Sequence, residues 1–217
     1  MKTMDRLIRI FGLITTMTCV LLMSSGCTKQ NMPSPEDPLQ TILEKAAVLE
    51  SVYYEIDTSF IIDGVIRQNT TTKIWQKMPY LKEEENSTSG NISTTQTIIQ
   101  RPEGLYLYDP TLQTFQQNAQ MNTPQPSTTE MVQNLLNNQT LTIIGTENIS
   151  GKPTTIIQYH PNQGGNSTTV KLWIWNEKGV PLKEQYISNT EGTSVTINSF
   201  YSNYSFADIP ESTFDVE

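Results

Sequence analysis

The chain changes its hydrophobic rhythm along its length. Leu39, Ile42, Leu43, Ala46, Ala47 and Leu49 recur at intervals of mostly three and four. That spacing predicts an amphipathic helix that needs an apolar surface to lie against. Asp37 is placed to cap this helix, and Pro38 suits its first position. From Val52 the period drops to two: Tyr54, Ile56, Thr58 and Phe60 alternate with polar residues, as in a half-buried strand. Further strands are expected at 66–75, 80–85, 94–100, 105–108, 114–119, 141–146, 154–160, 169–176, 181–188 and 193–203. Asp63-Gly64, Pro102-Glu103-Gly104, Asp109-Pro110, Glu177-Lys178-Gly179 and Thr190-Glu191-Gly192 supply turns, and 86–90 reads as a loop. Between the two groups of strands, 121–128 is a polar, proline-bearing loop. Ser127 or Thr128 then caps a second helix with Met131, Val132, Leu135 and Leu136 on one face.

About ten antiparallel strands with one helix before them and one in the middle make an α+β domain. A sheet of that size curls. Its concave face is expected to be apolar, with the two helices as the cover, and the interior is either a filled core or a cavity.

The first 27 residues follow another pattern. Lys2, Arg6 and Arg9 precede an almost unbroken apolar run, and Ser24, Ser25 and Gly26 lead into Cys27. This is the layout of an exported lipoprotein, with a charged head, a short apolar core and a small-residue cleavage site. The expected division is a signal peptide over 1–26, a lipidated tether over 27–38 and one folded domain over 39–217. Pro33, Pro35 and Pro38 make the tether extended. A retained membrane helix is the alternative, but the apolar run is about 14 residues where a span takes roughly 20. Ser24 departs from the lipobox pattern, which usually has Leu there. The expected location is the extracytoplasmic face of a cell membrane, held by lipid on Cys27.

Charge narrows the function. The whole chain carries a net −8, and the first 26 residues hold three of its 14 basic and one of its 22 acidic side chains, so the remainder carries −10. No basic patch remains for nucleic acid. Of the two cysteines, Cys19 leaves with the signal and Cys27 takes the lipid, so no disulfide is expected. His160 is the sole histidine and sits at a strand end beside Pro161. It is a poor base for a hydrolytic triad, no transition-metal set is in sight, and no cofactor is expected. The run Glu83-Glu84-Glu85 reads as a solvated strand end, with weak calcium binding as the alternative. Sequons at Asn69, Asn86, Asn91, Asn138, Asn148, Asn166 and Asn203 are glycosylation candidates on an exported chain. Glycans there would point to an archaeon more than to most bacteria.

Aromatic side chains are spread over the strands, and two pairs, Trp173 with Trp175 and Tyr106 with Tyr108, each share a face by alternation. They suit either an ordinary core or a pocket lined for an acyl chain. Ile74-Trp75-Gln76-Lys77-Met78-Pro79-Tyr80-Leu81-Lys82 resembles the strand-turn-strand segment of the LolA-like lipoprotein carriers. Gly104 to Pro110, Gly151-Lys152-Pro153 with Ile156-Ile157, Leu172 to Pro181 and the tail from Phe206 to Phe214 resemble that family's later segments, in the same order and over most of 39–217. The resemblance implies an unclosed antiparallel half-barrel with helices covering its concave face. LolA and LolB move lipoprotein acyl chains, the mycobacterial members are lipid-binding lipoproteins, and RseB-like members sense envelope lipids. LolA-type carriers have arginine directly before the proline where this chain has Met78, so their polar latch is not matched here.

These readings converge on a membrane-anchored protein that binds or transfers lipid or lipoprotein acyl chains, with no enzymatic activity. The expected cavity and cover residues are Trp75, Tyr106, Tyr108, Trp173 and Trp175, with Met131, Leu135 and Leu136 on the covering helix. The alternative is an envelope sensor or surface module with a filled core that acts through a protein partner.

Overall fold

The structure, a computed structural model, describes residues 38–117, 135–137, 140–161, 167–190 and 192–216. All of them belong to one compact unit, Pro33–Glu217. The expected signal peptide, Cys27, the tether, Met131, Asn138 and Asn166 lie outside the described residues.

Helix α1 (Pro38–Ala47) comes first. Six strands follow: β1 (Ser51–Ile62), β2 (Val65–Lys77), β3 (Tyr80–Ser89), β4 (Ile92–Arg101), β5 (Gly104–Asp109) and β6 (Thr114–Gln117). Five more are β7 (Thr142–Ile149), β8 (Lys152–Tyr159), β9 (Ser167–Trp175), β10 (Pro181–Thr190) and β11 (Thr193–Ser205), and a 3-10 turn (Glu211–Phe214) closes the chain. The strands form one antiparallel sheet in the order β6-β5-β4-β3-β2-β1-β11-β10-β9-β8-β7. Each half is a meander, and the pairing of β1 with β11 joins the two halves. The sheet is the expected unclosed, curled half-barrel, with β6 and β7 as its free edges.

Tight hairpins follow from local chemistry. Asp63 and Gly64 both take positive φ, 50° and 78°. That is the backbone that lets a two-residue turn match the strand twist. The predicted loop over 86–90 is shorter than expected, because β3 runs through Asn86, Ser87 and Thr88. Ser87 is buried, and its hydroxyl lies 2.8 Å from that of Thr70 on β2, so cross-strand bonding extends the strand despite weak propensity.

Two apolar clusters hold the unit. In the first, Leu39, Leu43 and Ala46 of α1 pack on Ile157, Ile174 and Val180, with half-buried Leu135 and Leu136 beside them. The approach is close at Gly179 in the β9–β10 turn. A methyl group there would run into the Ile42 carbonyl oxygen and the Ala46 amide nitrogen, and its φ of 73° also favours glycine. Lys45 donates to the Asn176 carbonyl at 2.6 Å and ties the helix to the same turn. The second cluster is built by the chain end: Ile209 and Phe214 pack on Ile99, with Tyr53, Trp75, Tyr80 and Tyr106 around them. Ser51 accepts from the Ile209 amide at 3.1 Å, Lys77 donates to the Ile209 carbonyl at 3.0 Å, and Phe214 stacks on Tyr80.

Candidate ligand-binding face

Residues paired across antiparallel strands share a face, so the register sorts every side chain. Ile157 pairs with Leu172, Leu172 with Glu184, Glu184 with Ser199 and Ser199 with Thr58. These residues lie on the face that α1 covers. Trp75 pairs with Tyr53, which is five residues from Thr58 on an unbroken stretch of β1 and therefore points the other way.

The consequence for the expected pocket residues is direct. Trp75 and Tyr106 lie on the outer face beneath the chain end, and Tyr108, 38% exposed, packs edge-on to Phe115 on that same face. Trp173 is also outward: its indole donates to Glu147 at 2.6 Å, and the Lys183 ammonium sits 4.3 Å from its ring centre. Trp175 follows the same alternation. It packs at the margin of the α1 cluster against Phe206, with Lys152 over its ring. Leu135 and Leu136 do sit against that cluster. The five described sequons are exposed, and Asn69, Asn86 and Asn203 bond to neighbouring side chains.

The concave face differs from the uniformly apolar surface expected of it. One row across it is apolar: Phe60, Ile197, Tyr186, Val170 and Tyr159 are consecutive partners on five strands. At strand spacing this row spans about 19 Å. Phe60, Ile197, Tyr186 and Tyr159 are only half-buried although they face inward. The adjacent row is polar where it crosses β3, β2, β1 and β11. Thr58 lies 3.0 Å from Ser199, Thr70 lies 2.8 Å from Ser87, and all four are buried. Each hydroxyl satisfies the next, which is how a sheet tolerates a buried polar floor.

Three carboxyl groups lie on this floor. Glu83 and Glu85 stand two residues apart on β3, and both are buried; the intervening Glu84 points outward and pairs with Lys82 at 2.9 Å. The acidic run is therefore split by alternation instead of being a solvated end. Burial pushes Glu83 up to about 7, and the neighbouring Glu85 carboxylate adds to the shift. Glu85 is raised by burial, partly offset by the 2.8 Å bond it accepts from Ser87. Glu184 is raised by burial against a 3.0 Å bond from the Tyr201 hydroxyl. Tyr54 stacks on Tyr204 with ring centres 5.3 Å apart and lies 6.1 Å from Tyr201, which adds an aromatic patch to the same face.

Among the described residues no group of His, Cys, Asp and Glu has a metal-holding arrangement, and no helix is long and apolar enough to cross a membrane. His160 sits where its ring reaches the Thr168 carbonyl at 3.0 Å.

No protein-family model and no curated protein matches the chain. Solved structures do. A chain of the MucA/MucB complex of Pseudomonas aeruginosa superposes with a TM-score of 0.52 at 14% identity, over 83% of this chain and 62% of that one. This chain thus spans less than two thirds of that protein's length. LprF of Mycobacterium bovis matches at 0.45 and 13% identity, over 83% of this chain and 97% of LprF. A LolA superfamily protein of Nitrosomonas europaea matches at 0.37 and 15%, over 82% and 97%. At these identities the likeness is one of fold, and it places the chain among half-barrel proteins of this general architecture.

Proposed function

We propose that the chain is an extracytoplasmic, membrane-tethered binding protein whose half-barrel takes up the acyl chain of a lipid or lipoprotein. The observation that carries this reading is the row Phe60, Ile197, Tyr186, Val170 and Tyr159. It is a continuous apolar strip facing inward beside the α1 cluster, half-buried at four of its five positions. Burying one CH₂ contributes about 0.8 kcal/mol, so a long acyl chain on such a strip binds without any catalytic group. The N-terminal pattern ending at Cys27 supports a tethered protein.

Native mass spectrometry of the protein purified from its own membranes tests this reading. The expected result is a lipid-mass adduct that is lost on delipidation and regained on incubation with fatty acid. A protein that carries no lipid and takes up no fluorescent fatty acid overturns it.

One observation favours a second reading, a sensor acting through a protein partner. The free edge strand β7 exposes Ile143 and Ile144, and the half-barrel at TM-score 0.52 comes from a two-protein complex. An exposed edge is a template for an added strand. Delipidated protein that still captures a partner through β7 would favour this reading.

A further inference from the structure

The concave face is not neutral. In the paired rows of the sheet, Lys73, Lys77, Lys82, Arg101, Lys171 and Lys183 all fall on the outer face by register. Arg67 stands at the β2 bulge and is exposed. Facing inward are Glu83, Glu85 and Glu184; the Tyr54, Tyr201 and Tyr204 rings share that face, Tyr201 bonded to Glu184 and Tyr54 two strands from Glu83 in register. Thus, among the described residues, the inward surface of the sheet carries acids and none of the cations that normally accompany buried carboxylates. Glu85 and Glu184 each accept one hydroxyl bond. Glu83 is 9% exposed, faces the same side and makes no hydrogen bond or ion pair among the described residues.

A buried carboxyl group with no partner invites a charge from outside the chain. A pair of carboxyl groups on a face that also carries aromatic rings suits an organic cation, which pairs with the acids and is attracted to a ring face within its reach. We propose that the floor around Glu83 and Glu85 binds the positively charged end, an amine or quaternary ammonium, of an amphiphile whose chain lies along the Phe60–Tyr159 row. The polar and apolar rows adjoin. Glu85 accepts from Ser87, whose row runs through Thr70 to Thr58, and Thr58 and Phe60 stand two residues apart on the same face of β1, so the polar row links the head site to the tail site. A bound anion would meet Glu83 and Glu85 and, among the described residues of this face, no counter-charge. The site therefore selects by sign, whereas the acyl row selects only by length.

This inference rests on the half-barrel being an acyl-binding site, and the test separates the two. Binding of dodecyltrimethylammonium and dodecyl sulfate, equal in chain length, is measured by calorimetry on the delipidated full chain at pH 8, below either micelle concentration. The expected result is at least tenfold tighter binding of the cation. That preference should be lost in Glu83→Gln/Glu85→Gln and kept in Glu84→Gln. The latter removes a carboxylate from the same strand on the outer face, and so controls for general attraction to an acidic protein. Equal affinity for both probes overturns the cation site while leaving acyl binding intact. A cation preference that falls equally in Glu84→Gln also overturns it, since it then arises from net charge. Binding of neither probe sinks the acyl reading itself. Should the double variant not fold, the single variant Glu83→Gln and the wild-type cation-to-anion ratio still decide the matter.

Discussion

The two faces of β2, β3 and β4 invert a common expectation. The outer face carries the large aromatic side chains, Trp75 and Tyr80, and the buried aliphatic Ile99, closed over by Ile209 and Phe214 of the chain end. The inner face of the same strands carries Thr70, Thr72, Glu83, Glu85 and Ser87, all buried, with Ile74 as the buried apolar residue among them. An ordinary sheet core would be the other way round. The outer cluster has the character of a folding core: stacked rings, a fully buried Phe214, and a tail pinned by Ser51 and Lys77. The inner surface has the character of a site, with hydrogen bonds that order it and charges that remain uncompensated. Stability and recognition are thus assigned to opposite sides of one sheet.

The largest way to break that comparison is Phe214→Ala. Phe214 is 1% exposed, and truncating a fully buried phenylalanine costs about 3–5 kcal/mol. Urea unfolding should show a loss of that size with the slope unchanged, and acyl-probe affinity should stay at the wild-type value under conditions where the variant is folded. A variant that loses probe binding in step with stability would mean that the outer cluster also forms the site.

The counterpart on the inner face is Leu43→Ala in α1. Leu43 is 2% exposed, and the loss should be about 2–4 kcal/mol. Here binding should weaken as well, because α1 borders the apolar row. Gly179→Ala sharpens this further. The added methyl meets the α1 backbone, not a flexible side chain, so the helix must shift while every apolar contact group is retained. Fluorescent fatty acid uptake should fall in Gly179→Ala even though no hydrophobic atom is removed. Unchanged uptake in both variants would separate α1 from the site.

Much of this architecture was legible as alternation. The helix over Leu39–Ala46, the strand Tyr54–Phe60 and the Asp63-Gly64 turn are local matters of periodicity and φ, and the structure has them within a few residues. Which alternate set faces inward was not legible. Tyr53 and Tyr54 are equally apolar, and the choice between them is made by where α1 and the chain end dock, through contacts such as Ile157 with Leu43 and Ile99 with Phe214. Aromatic content therefore led to Trp75, Tyr106, Tyr108 and Trp173, which the register puts outside. The acidic run held a readable signal. Glu83 and Glu85 are in phase with Leu81 and Gln100, whereas Glu84 is in phase with Lys82. A run of three carboxylates on a strand is two groups on one side and one on the other, and only the side shared with a cation is sure to be solvated.

The smallest expected effect is a matter of pH. Glu83 titrates near 7 when folded and near its ordinary value when unfolded. A carboxyl group raised on folding holds its proton in the native state while the unfolded chain has released it. Stability is therefore highest below the unfolded value and falls as pH rises through the folded one. The groups around Glu83 do not reverse the sign: Glu85 beside it is raised by burial too, as are Glu184 and Tyr204 elsewhere on the same face. Glu55 on the outer face is lowered, chiefly by its bond from Tyr53, and works the other way, but it is solvated and contributes little. Glu83→Gln should thus leave stability nearly unchanged at pH 4 and raise it by on the order of 2 kcal/mol at pH 8. Glu55→Gln should leave the profile almost as it is. Chemical denaturation of the delipidated protein from pH 4 to 8 checks this. If Glu83→Gln loses stability at pH 8, the carboxylate has a stabilising partner inside the fold, and the contrast between a finished outer core and an uncompensated inner face fails.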